Sequence, residues 1–314
     1  DNLSRAGAAL NLKNLKKNVN FKFFKLDISD RKKAIAFFKK NRDIDVLLHL
    51  AAQVAVTSSI TDPYYDFQNN LIATVNILET LVNLKIKPIC IYSSTNKVYG
   101  CLENHNIIET KQKYCFKNKN FIGINENEPL NFYSPYGCSK GAADQYFRDF
   151  YRIYGLPTIV FRQSCIYGEK QFGIEDQGWL AWFLIALLKN KKVNIFGNGK
   201  QTRDVLYVSD LINAYNLAIN QIKDCAGEIF NIGGGYKNAI SVIEYLNLIA
   251  EKYSLNLKIN YADWRQGDQK IFVSDNTKFS KITGWQPKID YQTGIEKMHS
   301  WIKNNFKDIN KIIG

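Results

Sequence analysis

The sequence predicts an α/β fold, a doubly wound parallel sheet followed by a smaller carboxy-terminal domain. Three observations predict it. Short apolar runs of strand length alternate with longer segments of helical period. Several of those runs end in a polar or hydroxyl residue. Beyond residue 166 the alternation gives way to a different order of helices, strands and glycine-rich turns.

In chain order, "VNFKFFKLDI" predicts a first strand and "DRKKAIAFFKK" a helix. "IDVLLHLAA" predicts a buried strand. "DPYYDFQNNLIATVNILETLVNL" predicts one long amphipathic helix, with Asp62 as N-cap and Pro63 in the first turn. "KPICIYSST" predicts a second buried strand. Residues 101–130 are polar and irregular and predict a long loop, of a length that tends to be functional or mobile. "SPYGCSKGAADQYFRDFYRIY" predicts a helix and "PTIVFRQSCIYG" a strand. Buried strands alternating with helices call for parallel βαβ units with helices on both faces.

In the second part, "GWLAWFLIALLKN" predicts a helix whose tryptophans serve the core rather than a stacking platform. "VNIFGNGKQTRDVLYV" predicts strand, turn and strand. "SDLINAYNLAIN" predicts a helix capped by Ser209, and "EIFNIGGG" a strand. A final helix follows "DWRQGDQKIFVSDNTKFSKITGWQP". This division assigns residues 1–165 to the first domain, with 207–236 returning to it, and 166–206 with 237–314 to the smaller one.

Composition narrows the function classes. The 314 residues suffice for one large α/β domain plus a smaller partner. No apolar run reaches the ~18 residues of a membrane span. The net charge of +13 is spread over Lys- and Asn-rich surfaces, without an arginine-rich arm or an aromatic-and-basic nucleic-acid module. A phosphorylated small molecule suits that charge better than nucleic acid. Six cysteines without a CxxC or metal-ligand spacing fit a reduced, cytoplasmic compartment. The histidines are His49, His105 and His299, none near a candidate Ser or Cys nucleophile in sequence.

The chemistry-bearing pattern is a set of polar strand ends. "LLHLAAQ" ends at Gln53, "CIYSST" at Ser93, Ser94 and Thr95, and "VFRQSC" at Gln163, Ser164 and Cys165. In a doubly wound sheet such ends open on one crevice. The helix after the second of them carries Tyr136 and Lys140, four residues apart and so one turn apart on one face. A free tyrosine has a pKa near ~10. A neighbouring ammonium favours the phenolate and lowers that value. A hydroxyl steadies the proton in transfer. Such a group takes a proton from an alcohol, and oxidising that alcohol then needs a hydride acceptor that no side chain provides. A bare Tyr-x-x-x-Lys recurs by chance as two surface neighbours; the "YSST" strand before it weighs for chemistry.

"HLAAQ", "YSSTNKVYG", "SPYGCSK", "FRQSCIYG" and "GNGKQTRDVLYVSD" resemble, in that order, the extended short-chain dehydrogenase/reductase family of nucleotide-sugar epimerases and dehydratases. The resemblance spans the chain and implies a Rossmann-type fold. "RQSCIYG…QFGIEDQGW" and "DWRQGDQ" resemble most the CDP-paratose (CDP-tyvelose) 2-epimerase subgroup. That implies an NAD-dependent isomerase inverting C2 of a CDP-sugar through a transient 2-keto sugar, in tyvelose and O-antigen synthesis. It also implies a cytoplasmic homodimer or homotetramer. The family's glycine-rich pyrophosphate loop, GxxGxxG, is not in the sequence, so the expectation is a truncated first βα unit and weak NAD binding. A 4-epimerase is the alternative; a 4,6-dehydratase is disfavoured by "TNK" where that activity has an acidic pair. An inactive NAD-binding scaffold is a further alternative.

The resemblance implies roles residue by residue. Thr95, Tyr136 and Lys140 are catalytic. Asp1 holds the adenosine ribose, with Arg5 nearby, and Asp27 and Ile28 flank the adenine. Leu50, Ala51, Ala52 and Gln53 line the cofactor, Asn69 supports their loop, and Gln163 and Ser164 close the nicotinamide end. Cys165 touches the sugar, where most of the family has Asn. Arg203 and Arg265 hold the diphosphate, since a guanidinium fork matches phosphate oxygens. Gln201, Asn198 and Tyr207 are lesser substrate candidates.

Overall fold

The computed structural model describes residues 1–5 and 7–313. Four parallel strands, Val46–His49, Ile89–Thr95, Thr158–Gln163 and Ile229–Ile232, lie side by side in chain order. Successive side chains point to opposite faces, and both faces are covered. On one, Tyr92 and Val160 pack with Ile77, Leu78, Leu81, Phe147 and Phe150. On the other, Ile91, Phe161 and Phe230 pack with Leu211, Ala214, Phe279 and Trp285. The central strand Thr158–Gln163 is buried throughout, as apolar strands covered on both sides must be. Strand Val46–His49 is one edge, with Leu48 44% exposed, and Ile229–Ile232 is the other.

The strand expected over "VNFKFFKLDI" does not form a ladder. Residues 21–27 carry no strand pairing, Val19, Asn20 and Ile28 lie in turns, and the Leu26 N–H bonds the Asp1 carbonyl at 3.3 Å. A strand exists only as the partner of another. The long helix expected from Asp62 is broken. Asp62 caps Pro63–Phe67 by accepting from the Tyr65 N–H, a π-helical turn spans Gln68–Ile72, and an α-helix continues over Ala73–Asn83. The irregular loop expected at 101–130 contains an antiparallel hairpin, Ile107–Glu109 with Tyr114–Phe116. Tyr114 and Phe116 pack with Ile271 and Phe272, which orders the segment.

The helix carrying the Tyr/Lys pair runs Pro135–Tyr154. Ser134 caps it by accepting from the Gly137 N–H at 3.0 Å, and Pro135 sits at its first turn. Gly155, at φ 62°, ends it in the left-handed conformation that glycine adopts without strain.

At Ser164 the chain leaves the main sheet. Cys165–Tyr167 pairs instead with Thr202–Tyr207, which also pairs with Ala239–Ser241 and Ile271–Phe272. The two strands of "VNIFGNGKQTRDVLYV" do not pair with each other: Val193–Phe196 runs parallel to Ile259–Ala262. Helix Val208–Asn220 is not capped by Ser209. Its N-cap is Tyr207, without a side-chain cap bond, and Ser209 lies inside the first turn. Phe279 and Trp285, from the segment assigned to the smaller domain, pack against the main sheet. No described helix is long and apolar enough to cross a membrane.

Candidate active site

A cavity of about 550 Å³ opens where the strand ends meet the second sheet. Register sets its floor: Thr95 lies opposite Gln163, and Gln163 opposite Ile232. Thr95, Tyr136, Lys140, Gln163, Ser164 and Cys165 line it, with Leu50, Ala52, Gln201, Arg203 and Arg265.

The three strand-end hydroxyls part company. Ser94 donates to Asp144 at 2.9 Å, and the Ser93 carbonyl accepts from Lys140 Nζ at 2.5 Å. Thr95 is the one that hydrogen-bonds the Tyr136 side chain. Thr95 also accepts from the Lys97 N–H and so starts the 3₁₀ turn Asn96–Tyr99. That turn ends at Gly100, φ 66°, where a Cβ would collide with the Asn131 carbonyl.

The electrostatics reverse one expectation. Burial pushes the Tyr136 phenol up to about 12, opposed by its Thr95 bond and supported by Asp66. Lys140 does not bring it down. Its ammonium is bound to the Ser93 carbonyl and lies 4.2 Å from the Tyr92 ring centroid. Burial lowers Lys140 itself to about 7, against Asp144 and Asp66, which hold it up. Desolvation outweighs the pairing in both groups.

Gln163 donates to the Tyr215 hydroxyl at 2.6 Å, and Ser164 donates to the Asp204 carbonyl at 2.7 Å. Cys165 accepts from Trp179 Nε1 at 3.4 Å, and burial raises its thiol pKa. Trp179 therefore lines the cavity as well as packing on the core. Arg203 bonds Asp268 at 2.9 Å and the Gln269 carbonyl at 2.7 Å. The Arg265 guanidinium lies 3.8 Å from the Phe196 centroid and pairs with Asp176 at 3.1 Å. Gln201 donates to the Phe196 carbonyl at 2.5 Å, while its buried Oε1 has no partner.

Other expected site residues stand apart from the lining. Asp1 is exposed and accepts from the Leu3 N–H; Asp27 binds Asn2 and Ser29; the Ile28 carbonyl accepts from Asn76. Arg5 reaches the lining only through Gln177, at 2.5 Å. Ala51 is exposed and Gln53 is turned onto Ala55. Asn198 bonds the Tyr114 hydroxyl, and Tyr207 packs edge-on to Tyr167. The support expected of Asn69 comes from Asn70. Asn70 Oδ1 accepts from the Gln53 N–H at 2.8 Å, whereas Asn69 bonds only the Tyr65 carbonyl of its own helix. The π turn moves the inward position by one residue.

Sequence reasoning missed Lys97, Asp268 and Asp66. Lys97 Nζ lines the cavity and bonds the Gly267 carbonyl at 3.0 Å and Asp268 at 3.5 Å. Its place two residues after Thr95 was the available signal. Asp66 and Asn70, four apart on one helix, carried another.

With the Thr95 and Tyr136 hydroxyls, a buried Lys140 and two guanidinium groups on one cavity, the site can hold an anionic ligand and move a proton. Residues 1–298 match the family described as GDP-mannose 4,6 dehydratase. The chain is 42% identical over 307 residues to the CDP-paratose 2-epimerase of Salmonella typhi, covering 96% of this chain and 90% of that protein. It superposes on the UDP-glucose 4-epimerase of Thermotoga maritima, solved with UDP-glucose, with a TM-score of 0.80 and 29% identity, covering 98% and 90% of the two chains. It also superposes on the UDP-glucuronic acid 4-epimerase of Bacillus cereus, solved with UDP-glucuronic acid and NAD, with a TM-score of 0.79 and 26% identity, covering 94% and 86%. The chain belongs to the GDP-mannose 4,6-dehydratase-like family of extended short-chain dehydrogenases/reductases.

Proposed function

We propose that this chain is an NAD-dependent nucleotide-sugar epimerase that inverts C2 of a CDP-3,6-dideoxyhexose, as in tyvelose and O-antigen synthesis. The observation that carries the reading is one cavity lined by Thr95, Tyr136 and Lys140 together with Arg203 and Arg265. The 42% identical relative, named for that reaction, supports the substrate class.

The residues present fit the nicotinamide side of NAD. Lys140 is a buried donor at the cavity floor, and Leu50 and Ala52 supply an apolar wall. Bound NAD would supply a reversible hydride acceptor. The chain's own residues do the rest. Arg203 and Arg265 hold the diphosphate through fork-shaped donors. Tyr136 Oη takes the proton of the C2 hydroxyl, steadied by Thr95, and returns it after the 2-keto sugar has turned over in the pocket. Lys140, a buried donor one turn from Tyr136, is placed to bind the nicotinamide ribose. No net oxidation results.

A 4-epimerase is the second reading, and the two epimerases above favour it. A 4,6-dehydratase of the same family is disfavoured, because Asn96 and Lys97 follow Thr95 where that activity has an acidic pair. A reduced, cytoplasmic protein accords with six free cysteines among the described residues. A homo-oligomer accords with Tyr64, Phe67, Tyr146 and Ile153, left exposed on the helical segments from 63 to 83 and from 135 to 154; sedimentation equilibrium checks it.

The experiment is proton NMR of CDP-paratose with the protein and NAD in D₂O, with UDP-glucose as control and Tyr136→Phe beside the wild type. The expected result is the 2-epimer without deuterium at C2, and no turnover in Tyr136→Phe, a loss of at least ~10²-fold. Deuterium at C2 overturns the hydride route. Epimerised UDP-glucose with unchanged CDP-paratose moves the enzyme to the second reading.

A further inference from the structure

Behind the Tyr/Lys pair lies a carboxylate that no step above uses. Asp66 has no exposed surface. A buried charge is retained only when something compensates it. Among the described residues no ion pair holds Asp66. Its bonds come from the Ser139 hydroxyl on one oxygen and from Asn70 Nδ2, at 3.0 Å, on the other.

Asp144, the other acid near Lys140, differs. It receives two bonds from Arg162, at 2.8 and 3.0 Å, and one from Ser94. Its charge is matched by a guanidinium. The charge of Asp66 has no such partner, and Lys140 is the cation it acts on. Ser139 adjoins Lys140 on the same helix, so the Ser139 bond fixes Asp66 to the element that carries the reacting pair. Asn70 ties the same carboxylate to the Gln53 loop.

We propose that Asp66 is a positioning residue: a buried counter-charge for the Lys140 ammonium, fastened to the Tyr136 helix by Ser139 and to the cofactor-side loop by Asn70. The proposal rests on reading Tyr136 and Lys140 as the proton-handling pair. The titratable groups facing this region are Tyr136, Cys138, Lys140 and Asp144 on the helix, Tyr92 on the strand below, and His49 on the edge strand. Burial raises the Asp66 pKa, opposed by the Ser139 bond and by Lys140; in turn Asp66 opposes the burial that lowers Lys140 and adds to the burial that raises Tyr136.

The test is carbon-13 NMR titration of the full chain with labelled lysine and aspartate, assigned with Lys140→Met and Asp66→Asn. In Asp66→Asn the Lys140 midpoint should fall by about one pH unit; an unchanged midpoint overturns the proposal. Coupling is reciprocal, so in Lys140→Met the Asp66 midpoint should rise, and an unmoved one overturns it. That second arm decides the matter if Asp66→Asn does not fold. In turnover, Asp66→Asn should lose kcat rather than KM and recover towards wild type as the pH falls. A loss equal at every pH marks a merely structural role and overturns the proposal. The titrations do not depend on the sugar, so a wild type inactive on CDP-paratose sinks the functional reading and leaves them standing.

Discussion

At the scale of the residue, function and stability pull Lys140 in opposite directions. Burial brings its ammonium down from an ordinary lysine value to about 7. A group that sheds protons on folding costs stability while both states are charged, and that cost fades once the folded group is neutral. The cost is therefore full below about pH 7 and disappears as the pH rises towards the unfolded value. Lys140→Met should raise Tm by a few degrees near pH 6, with a gain that shrinks towards pH 10, while turnover is lost; melting curves across that range check it. Tyr136 and Lys140 were legible as a pair from their spacing. Their charge states were not, because desolvation depends on what the rest of the chain stacks above them.

At the scale of the element, the π turn Gln68–Ile72 decides which asparagine works. The resemblance pointed to Asn69, and a helix of constant period gave no reason to prefer Asn70. The wider turn directs Asn70 to the Gln53 N–H, to Asp66 and to Ser139. Asn70→Ala removes a buried donor and a buried acceptor together. It should cost about 1–3 kcal/mol in urea denaturation and speed hydrogen exchange at the Gln53 amide. The hairpin within residues 101–130 shows the same dependence. Its strands are three residues each and carry no periodic signal, and they form because Tyr114 and Phe116 find Ile271 and Phe272.

At the scale of the whole molecule, one buried acid joins the two sheets. Asp204 lies on Thr202–Tyr207 and accepts from Ser164, where the chain leaves the main sheet. It also accepts from the Gly235 N–H at 3.0 Å and the Ser274 N–H at 3.1 Å. Burial raises its pKa and these donors lower it. Asp204→Ala strands the Gly235 and Ser274 N–H donors, while Ser164 keeps the Asp204 carbonyl, and should destabilise the fold by about 2–3 kcal/mol. Guanidinium denaturation followed by circular dichroism and by tryptophan fluorescence checks it, with both transitions moving to lower denaturant.

The sequence by itself determined the alternation of buried strands and helices, the Tyr/Lys helix, the hydroxyl strand end before it and the arginines beyond. Each is written in local period, spacing or residue type, which act over a few residues. Tertiary structure alone decided that "VNFKFFKLDI" lacks a ladder, and that strand and turn segments adjacent in sequence join different sheets. It also decided that Phe279 and Trp285 cover the main sheet, and that Asp66 lies buried behind Lys140. Pairing, burial and desolvation depend on segments far apart in the chain, and no short stretch of residues carries that information.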